Sequence, residues 1–261
     1  MPLRLGDLWA YRELLATLAL RDLKVRYKQT ELGAAWAIIQ PFLLMVVFTL
    51  IFGGGFGQKA ADGSPYPIFS YAALLPLTYF TNAIAQSGNS MIESANLITK
   101  VYFPRLVIPL AAVIAGLVDF GIAFAVLVAM MLFYGIVPGP AILLLPLLLL
   151  LAMLAALGIG LWLAALNVEY RDVRYVIPFV VQFWLFFSPV IYPLSRVPSK
   201  WRLVYSLNPM VGVIQGFRWA LLGKVPFPAV ELAISLAVVI ALLTGGLFYF
   251  RRMERTFADV V

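Results

Sequence analysis

Between Leu106 and Val168 the chain carries one carboxylate or basic side chain, Asp119, and nothing else that would hold it in water. A hydrocarbon core about 30 Å thick takes about 20 helical residues to cross, so this stretch has room for two spans joined at Val137-Pro138-Gly139-Pro140. Other windows without charge run from Leu32 to Gln58, Gly63 to Ile92, Tyr175 to Ser195 and Leu232 to Phe250. None alternates with the period of two expected of barrel strands, and backbone polar groups in lipid must pair within their own segment. The chain is therefore expected to be an all-α membrane protein with six transmembrane helices. Their expected positions are about 33–53, 68–92, 106–134, 141–167, 175–193 and 231–250, all in one domain over 1–261. These spans and their connections nearly use up the length, which leaves no room for a fused catalytic domain of ordinary size.

Basic residues fix the expected orientation. With six spans both termini share one side, and that side collects thirteen of the nineteen Lys and Arg residues. Retention of basic loops in the cytosol then places both termini there. A net charge of +7 spread over short loops beside apolar spans points to anionic lipid headgroups and argues against nucleic acid. No short apolar region with a small-residue cleavage site marks a removable signal peptide. With no Cys and no His, the chain has no disulfide framework, thiol nucleophile or imidazole metal site.

Residues 7–20 place Leu8, Tyr11, Leu14, Leu15 and Leu18 on one helical face, away from Arg12 and Glu13, as an amphipathic helix on a membrane would. Beyond Arg21 the charges spread around the helix, so the segment through Lys28 is expected to reach cytosol or touch a protein. The whole 1–30 region is read as cytosolic or interfacial. The first span contains Pro41 and ends at Gly53-Gly54-Gly55-Phe56-Gly57. No Lys-Ser or Lys-Thr follows these glycines, so they do not read as a phosphate cradle.

In the second span Asn82, Gln86, Asn89 and Glu93 are spaced by four, three and four, a polar stripe along one helical face. Such groups face either a partner helix or an aqueous path, and the sequence leaves both readings open, for Asp119 as well. The fifth span is crowded with rings, among them Phe183, Trp184, Phe187 and Tyr192. These rings suit sugar stacking or lipid packing with an interfacial belt. Residues 197–228 are interrupted by Asn208-Pro209 and Pro226-Phe227-Pro228, which leaves two pieces too short to span. They are expected to be short re-entrant or interfacial helices on the outer side, an external lid with Trp201, Tyr205, Asn208 and Phe217 as gate candidates.

Two stretches carry a specific resemblance. The first is Arg21-Asp22-Leu23-Lys24-Val25-Arg26-Tyr27-Lys28-Gln29-Thr30 with Leu32-Gly33 and Trp36 to Pro41. The second combines Asn167-Val168, Arg171-Asp172-Val173, Ser188-Pro189-Val190, Tyr192-Pro193 and Leu207-Asn208-Pro209. In order and spacing they resemble the type-2 ABC exporter permeases that move polysaccharides such as O antigen, teichoic acid and capsule. That resemblance covers essentially the whole chain. It implies a homodimer in the cytoplasmic membrane, multi-pass, driven by two copies of a separate ATPase subunit that holds ATP and Mg, with a lipid-linked glycan as cargo. The chain itself would do no covalent chemistry and needs no cofactor, in keeping with the lack of any Gly-x-x-x-x-Gly-Lys-Ser/Thr run.

The resemblance also implies motor contacts near Leu8 to Lys28 and Glu93 to Arg105, which makes Arg21, Lys24, Arg26, Glu93, Lys100 and Arg105 the coupling candidates. Asn82, Gln86, Asn89, Phe183, Trp184, Phe187 and Tyr192 are the candidate path lining. Two alternatives remain: a permease for a drug, oligosaccharide or small amphiphile, and a polytopic lipid-modifying enzyme.

Overall fold

A computed structural model of the chain describes residues 9–28, 33, 35–54, 60, 62–101, 103–170, 172–254 and 257. Leu8, Gln29, Thr30, Leu32, Gly55 to Gln58 and Arg171, all named above, lie outside them. Among the described residues every regular element is a helix. In chain order they are α1 (Arg12–Lys28), α2 (Ala35–Ile51), α3 (Tyr66–Glu93), α4 (Ala95–Lys100), α5 (Val107–Phe133), α6 (Leu145–Glu169), α7 (Val173–Phe186), α8 (Ser199–Ser206), α9 (Pro209–Leu222) and α10 (Ala229–Met253). Short 3-10 turns at Pro140–Leu144 and Leu194–Arg196 precede α6 and α8.

Four stretches are long and apolar enough to cross a membrane: α3, α5, Pro140–Glu169 and α10. Helices α2 and α7 are apolar but shorter, at 17 and 14 residues. The fifth expected span runs to 193 in the sequence reading, yet α7 ends at Phe186. Pro189 lacks an amide hydrogen, and the backbone of Ser188 to Pro193 turns away from helical geometry.

Helix α3 is the hub. In its apolar stretch 83% of residues are buried, against 17% for α10 and 28% for α5, so the other helices pack around it. The core has two parts along the bundle. One gathers Ile68, Phe69, Phe80, Leu127, Leu148 and Phe217 toward the Tyr66 end of α3. The other gathers Leu18, Met91, Val107, Leu161, Phe250 and Phe257 at the α1 end. The apolar face expected to lay α1 on the membrane therefore packs against protein, with Leu14, Leu15 and Leu18 against the core and the helix lying along α5.

The two pieces of the 197–228 segment differ sharply. Helix α9 starts at Asn208, whose side chain accepts from the Met210 amide at 2.9 Å with Pro209 in the first turn, and stops at Gly223 with φ 63°. All but one of its residues, Phe217 included, are buried. Helix α8 shows Trp201, Leu203, Val204 and Leu207 beyond it to the exterior. Only α8 has the exposure expected of an external lid, whereas α9 is core.

Close helix crossings depend on missing side chains. A Cβ on Gly246 of α10 would sit 2.6 Å from the Gly158 carbonyl oxygen of α6, and a Cβ on Gly158 would sit 2.9 Å from the Leu243 nitrogen. Contact at this distance lets Trp162 stack on Tyr249, ring centroids 4.7 Å apart, and donate to the Leu242 carbonyl at 3.3 Å. Gly246→Val is expected to lower the thermal midpoint of the detergent-purified protein by an amount matching about 1–3 kcal/mol of overpacking. Gly121→Val, where nothing lies within 4 Å, leaves the midpoint unchanged.

Candidate functional site: a polar node beside the central helix

The polar stripe of α3 meets two different partners. Asn89 accepts from the Asn167 side chain of α6 at 3.1 Å, and the same amide donates to the Gly88 carbonyl at 2.9 Å. That part of the stripe binds helix to helix. Asn82 and Gln86 instead face a cavity of about 230 Å³ shared with Trp36, Gln40, Tyr27 and Asp119. Glu93 is exposed, on the rim of a second cavity of about 420 Å³ with Arg21, Asp22, Ser90 and Ser94.

Asp119 lies near the middle of α5, twelve residues in from Val107, or about 18 Å along the axis. Its carboxylate is engaged from α1: the Arg26 guanidinium donates to it and forms an ion pair, and the Tyr27 hydroxyl donates to its other oxygen. Arg26 also donates to the Gln86 side-chain oxygen. Burial, reinforced by the bond to Asp119, pushes the Tyr27 phenol up to about 12, so it keeps its proton at ordinary pH. Three helices thus converge on one carboxylate. The sequence reading sent residues beyond Arg21 toward cytosol or a protein partner, but Arg26 and Tyr27 turn back into the bundle.

The other coupling candidates are spread over the same end. Arg21 donates to Asp22 at 2.8 Å and to the Ser94 hydroxyl at 3.3 Å, while Lys24 and Lys100 are exposed. Arg105 is occupied within the chain: its amide donates to the Glu254 carboxylate at 3.3 Å, its guanidinium donates to the Glu254 carbonyl, and it lies 5.9 Å from the Phe257 ring centre. It fixes the end of α10 to the loop before α5.

Of the aromatic candidates, Phe183 and Phe187 are exposed and stacked, centroids 3.9 Å apart, in an outward row with Phe179 and Phe186. Trp184 turns inward, packs edge-on to Phe80 at 5.4 Å and donates to the Asn208 side-chain oxygen at 3.0 Å. Tyr192 and Tyr205 pair through their hydroxyls at 2.9 Å.

The irregular backbone after α7 is stapled in place. Asn208 donates to the Phe187 carbonyl at 2.7 Å and the Ser188 hydroxyl at 3.0 Å, and the Tyr66 hydroxyl donates to the Ile191 carbonyl at 2.7 Å. Arg218 of α9 donates to the carbonyls of Pro189 at 2.7 Å, Val190 at 2.8 Å and Phe69 at 3.3 Å, with its guanidinium 3.5 Å from the Phe69 ring centre. This arginine is fully buried. Arg218 is one of the six basic residues on the side away from the termini in the expected topology, and its place among Val213, Phe217 and Leu221 in a short apolar segment was the available signal for burial.

Comparison with known proteins adds the context for this geometry. The chain is 30% identical over 98% of its length, and 98% of the relative's, to the O-antigen export system permease protein RfbA of Myxococcus xanthus. It is 25% identical over its whole length, and 98% of the relative's, to the protein of the same name from Klebsiella pneumoniae. With the polysialic acid transport protein KpsM of Escherichia coli it shares 26% identity, over 91% of this chain and 92% of that one. The model of the ABC-2 type transporter family matches residues 13–222, a range that takes in α1, the polar node and the stapled segment through α9; the chain belongs to the ABC-2 type transporter membrane family.

Proposed function

We propose that this chain is the membrane-spanning subunit of an ATP-driven exporter that carries a lipid-linked polysaccharide, of O-antigen or capsule type, across the cytoplasmic membrane. The observation that carries this reading is similarity along the full length to permeases of O-antigen export, joined by the likeness to a polysialic acid transport protein. In this reading the chain works as a homodimer, and two copies of a separate ATPase bind and hydrolyse ATP with Mg.

The order of apolar helices supports a six-span topology, and the excess of Lys and Arg on the side of the termini supports placing both in the cytosol. Helices α2 and α7 reach only about 26 Å and 21 Å, short of a hydrocarbon core of about 30 Å. Flanking non-helical backbone makes up the difference, and for α7 that backbone is covered by Asn208, Tyr66 and Arg218, as lipid requires. The α1 end of the bundle is then the cytosolic end, and α8 lies at the outer surface with Trp201 and Val204 toward the headgroups. The outward faces of α2 and α7 are left for the second protomer or for the cargo, with Phe42, Leu43 and Val47 on one and Phe179, Phe183 and Phe186 on the other.

The mechanism is mechanical. ATP binding changes the shape of the partner ATPase, and only contacts that differ in affinity between two permease states move the equilibrium between them. The exposed Glu93 and Lys100 lie at the cytosolic end, where such contacts form. Replacing both with Ala is expected to reduce transport-linked ATP turnover of the reconstituted complex while the protein still accumulates in the membrane. Equal turnover in variant and parent would remove these two residues from the coupling surface.

For the cargo, depletion of the chain in its host is expected to leave lipid-linked glycan on the cytosolic face of the inner membrane and to strip it from the cell surface. Normal surface glycan after depletion would direct the reading to a different exported amphiphile.

A further inference from the structure

The two polar cavities share walls. Arg26 and Gln86 line both the cavity at the cytosolic edge, with Arg21, Asp22 and Glu93, and the deeper one, with Asn82, Gln40 and Asp119. The bond from Arg26 to Gln86 therefore stands where the two meet. Both it and the ion pair to Asp119 come from α1, a helix otherwise held by Leu18 and Ala19 in the core and by the Arg21 to Ser94 bond.

We propose that Arg26, Tyr27, Gln86 and Asp119 form a latch that holds α1 against α3 and α5 and closes the passage between the two cavities, with Arg26 and Tyr27 as its positioning residues. The inference rests on the exporter reading for the force that opens the latch, since α1 carries the segment assigned to motor contact. Displacement of α1 withdraws Arg26 and Tyr27 together, because they are neighbours on one helix. The cavities then join into one polar cleft running from the cytosolic edge to Asn82, and Asp119 gains water as it loses its cation. Closed, the pairing spares α5 an uncompensated carboxylate at mid-membrane; open, hydration does so.

The chain has no cysteine, so one introduced thiol reports cleanly. Asn82→Cys is placed in the otherwise native chain, in Arg26→Gln and in Asp119→Asn, each in membrane vesicles with the complete exporter. A charged, water-soluble methanethiosulfonate is added to inside-out and to right-side-out vesicles, and the labelling rate is read. Slow labelling is expected with the native node, and faster labelling by at least about tenfold in both variants, the change that losing a charge-assisted bond produces in a two-state population. Arg26→Lys, which keeps the charge for Asp119 and loses the fork to Gln86, is expected to fall between. If Asp119→Asn fails to accumulate, Tyr27→Phe removes one bond to the same carboxylate without a change of charge and gives a smaller acceleration.

Identical rates for Asn82→Cys across these backgrounds would overturn the latch. Arg252→Cys, exposed near the end of α10, is expected to label alike in every background and from the cytosolic face only. Labelling of Arg252→Cys from the other face would reverse the topology, yet the Asn82→Cys comparison would still decide the latch. Glycan export is assayed in the same strains. Loss of the labelling difference with export intact would count against the latch alone, and an intact labelling difference in a host that exports no glycan would count against the exporter reading alone.

Discussion

The polar side chains of a helix enclosed by other helices inside a membrane need partners from those helices or from a cavity, and α3, the most buried of the four long apolar stretches, carries a polar stripe. Asn89 and Gln86 therefore determine what packs beside them. Asn89 requires α6 at the position of Asn167, and Gln86 requires a donor, which Arg26 supplies from α1. The Arg26 charge in turn requires Asp119, which brings in α5. A terminal helix that could have rested on the membrane is thereby drawn into the bundle, and the contact between α1 and the spans is electrostatic at its deep end and apolar at Leu18 and Ala19.

The two ends of the bundle are held together by different chemistry. Near Pro189 the bonds are many, donated by Tyr66, Asn208 and Arg218 to main-chain carbonyls, and they fix a piece of irregular backbone that has no alternative pairing in lipid. Near α1 the bonds join side chain to side chain and border on cavities. Removing a carbonyl from the first group leaves an orphan in an apolar setting, whereas separating Arg26 from Asp119 moves both into space that water can enter. The two ends thus differ in what separation costs: a bond lost at the stapled end has no replacement, whereas at the cavity-lined end water can supply one.

Much of the architecture was readable from charge and hydropathy. The charge-poor windows hold α2, α3, α5, α6, α7 and α10, though α7 stops short of its window's end, and the breaks at Asn208-Pro209 and Pro226 bound α9 because a cap, a proline and a glycine act locally. Less readable was anything fixed by contact between distant residues. Residues 21–28 read as a segment reaching cytosol or a protein partner because their charges surround the helix, and only the arrival of α5 shows that Asp119 absorbs Arg26 from 93 positions away. The stripe on α3 was visible, but its division between Asn167 and the cavity depends on helix rotation, which periodicity leaves undetermined. Trp184 likewise reads as one ring among many until Asn208 and Phe80 turn it inward.

The buried Arg218 carries a consequence for how the protein is made. Its three carbonyl acceptors lie 29, 28 and 149 positions earlier in the chain, so all of them have left the ribosome before α9 does. A guanidinium in a short apolar helix has no reason to enter the bilayer alone, and it finds neutral oxygens and the Phe69 ring only once α3 and the turn after α7 are in place. Seating of α9 is thus conditional on earlier steps of biogenesis having succeeded. A chain whose α7 turn has formed wrongly leaves this arginine without the carbonyls of Pro189 and Val190, an uncompensated charge in an apolar segment.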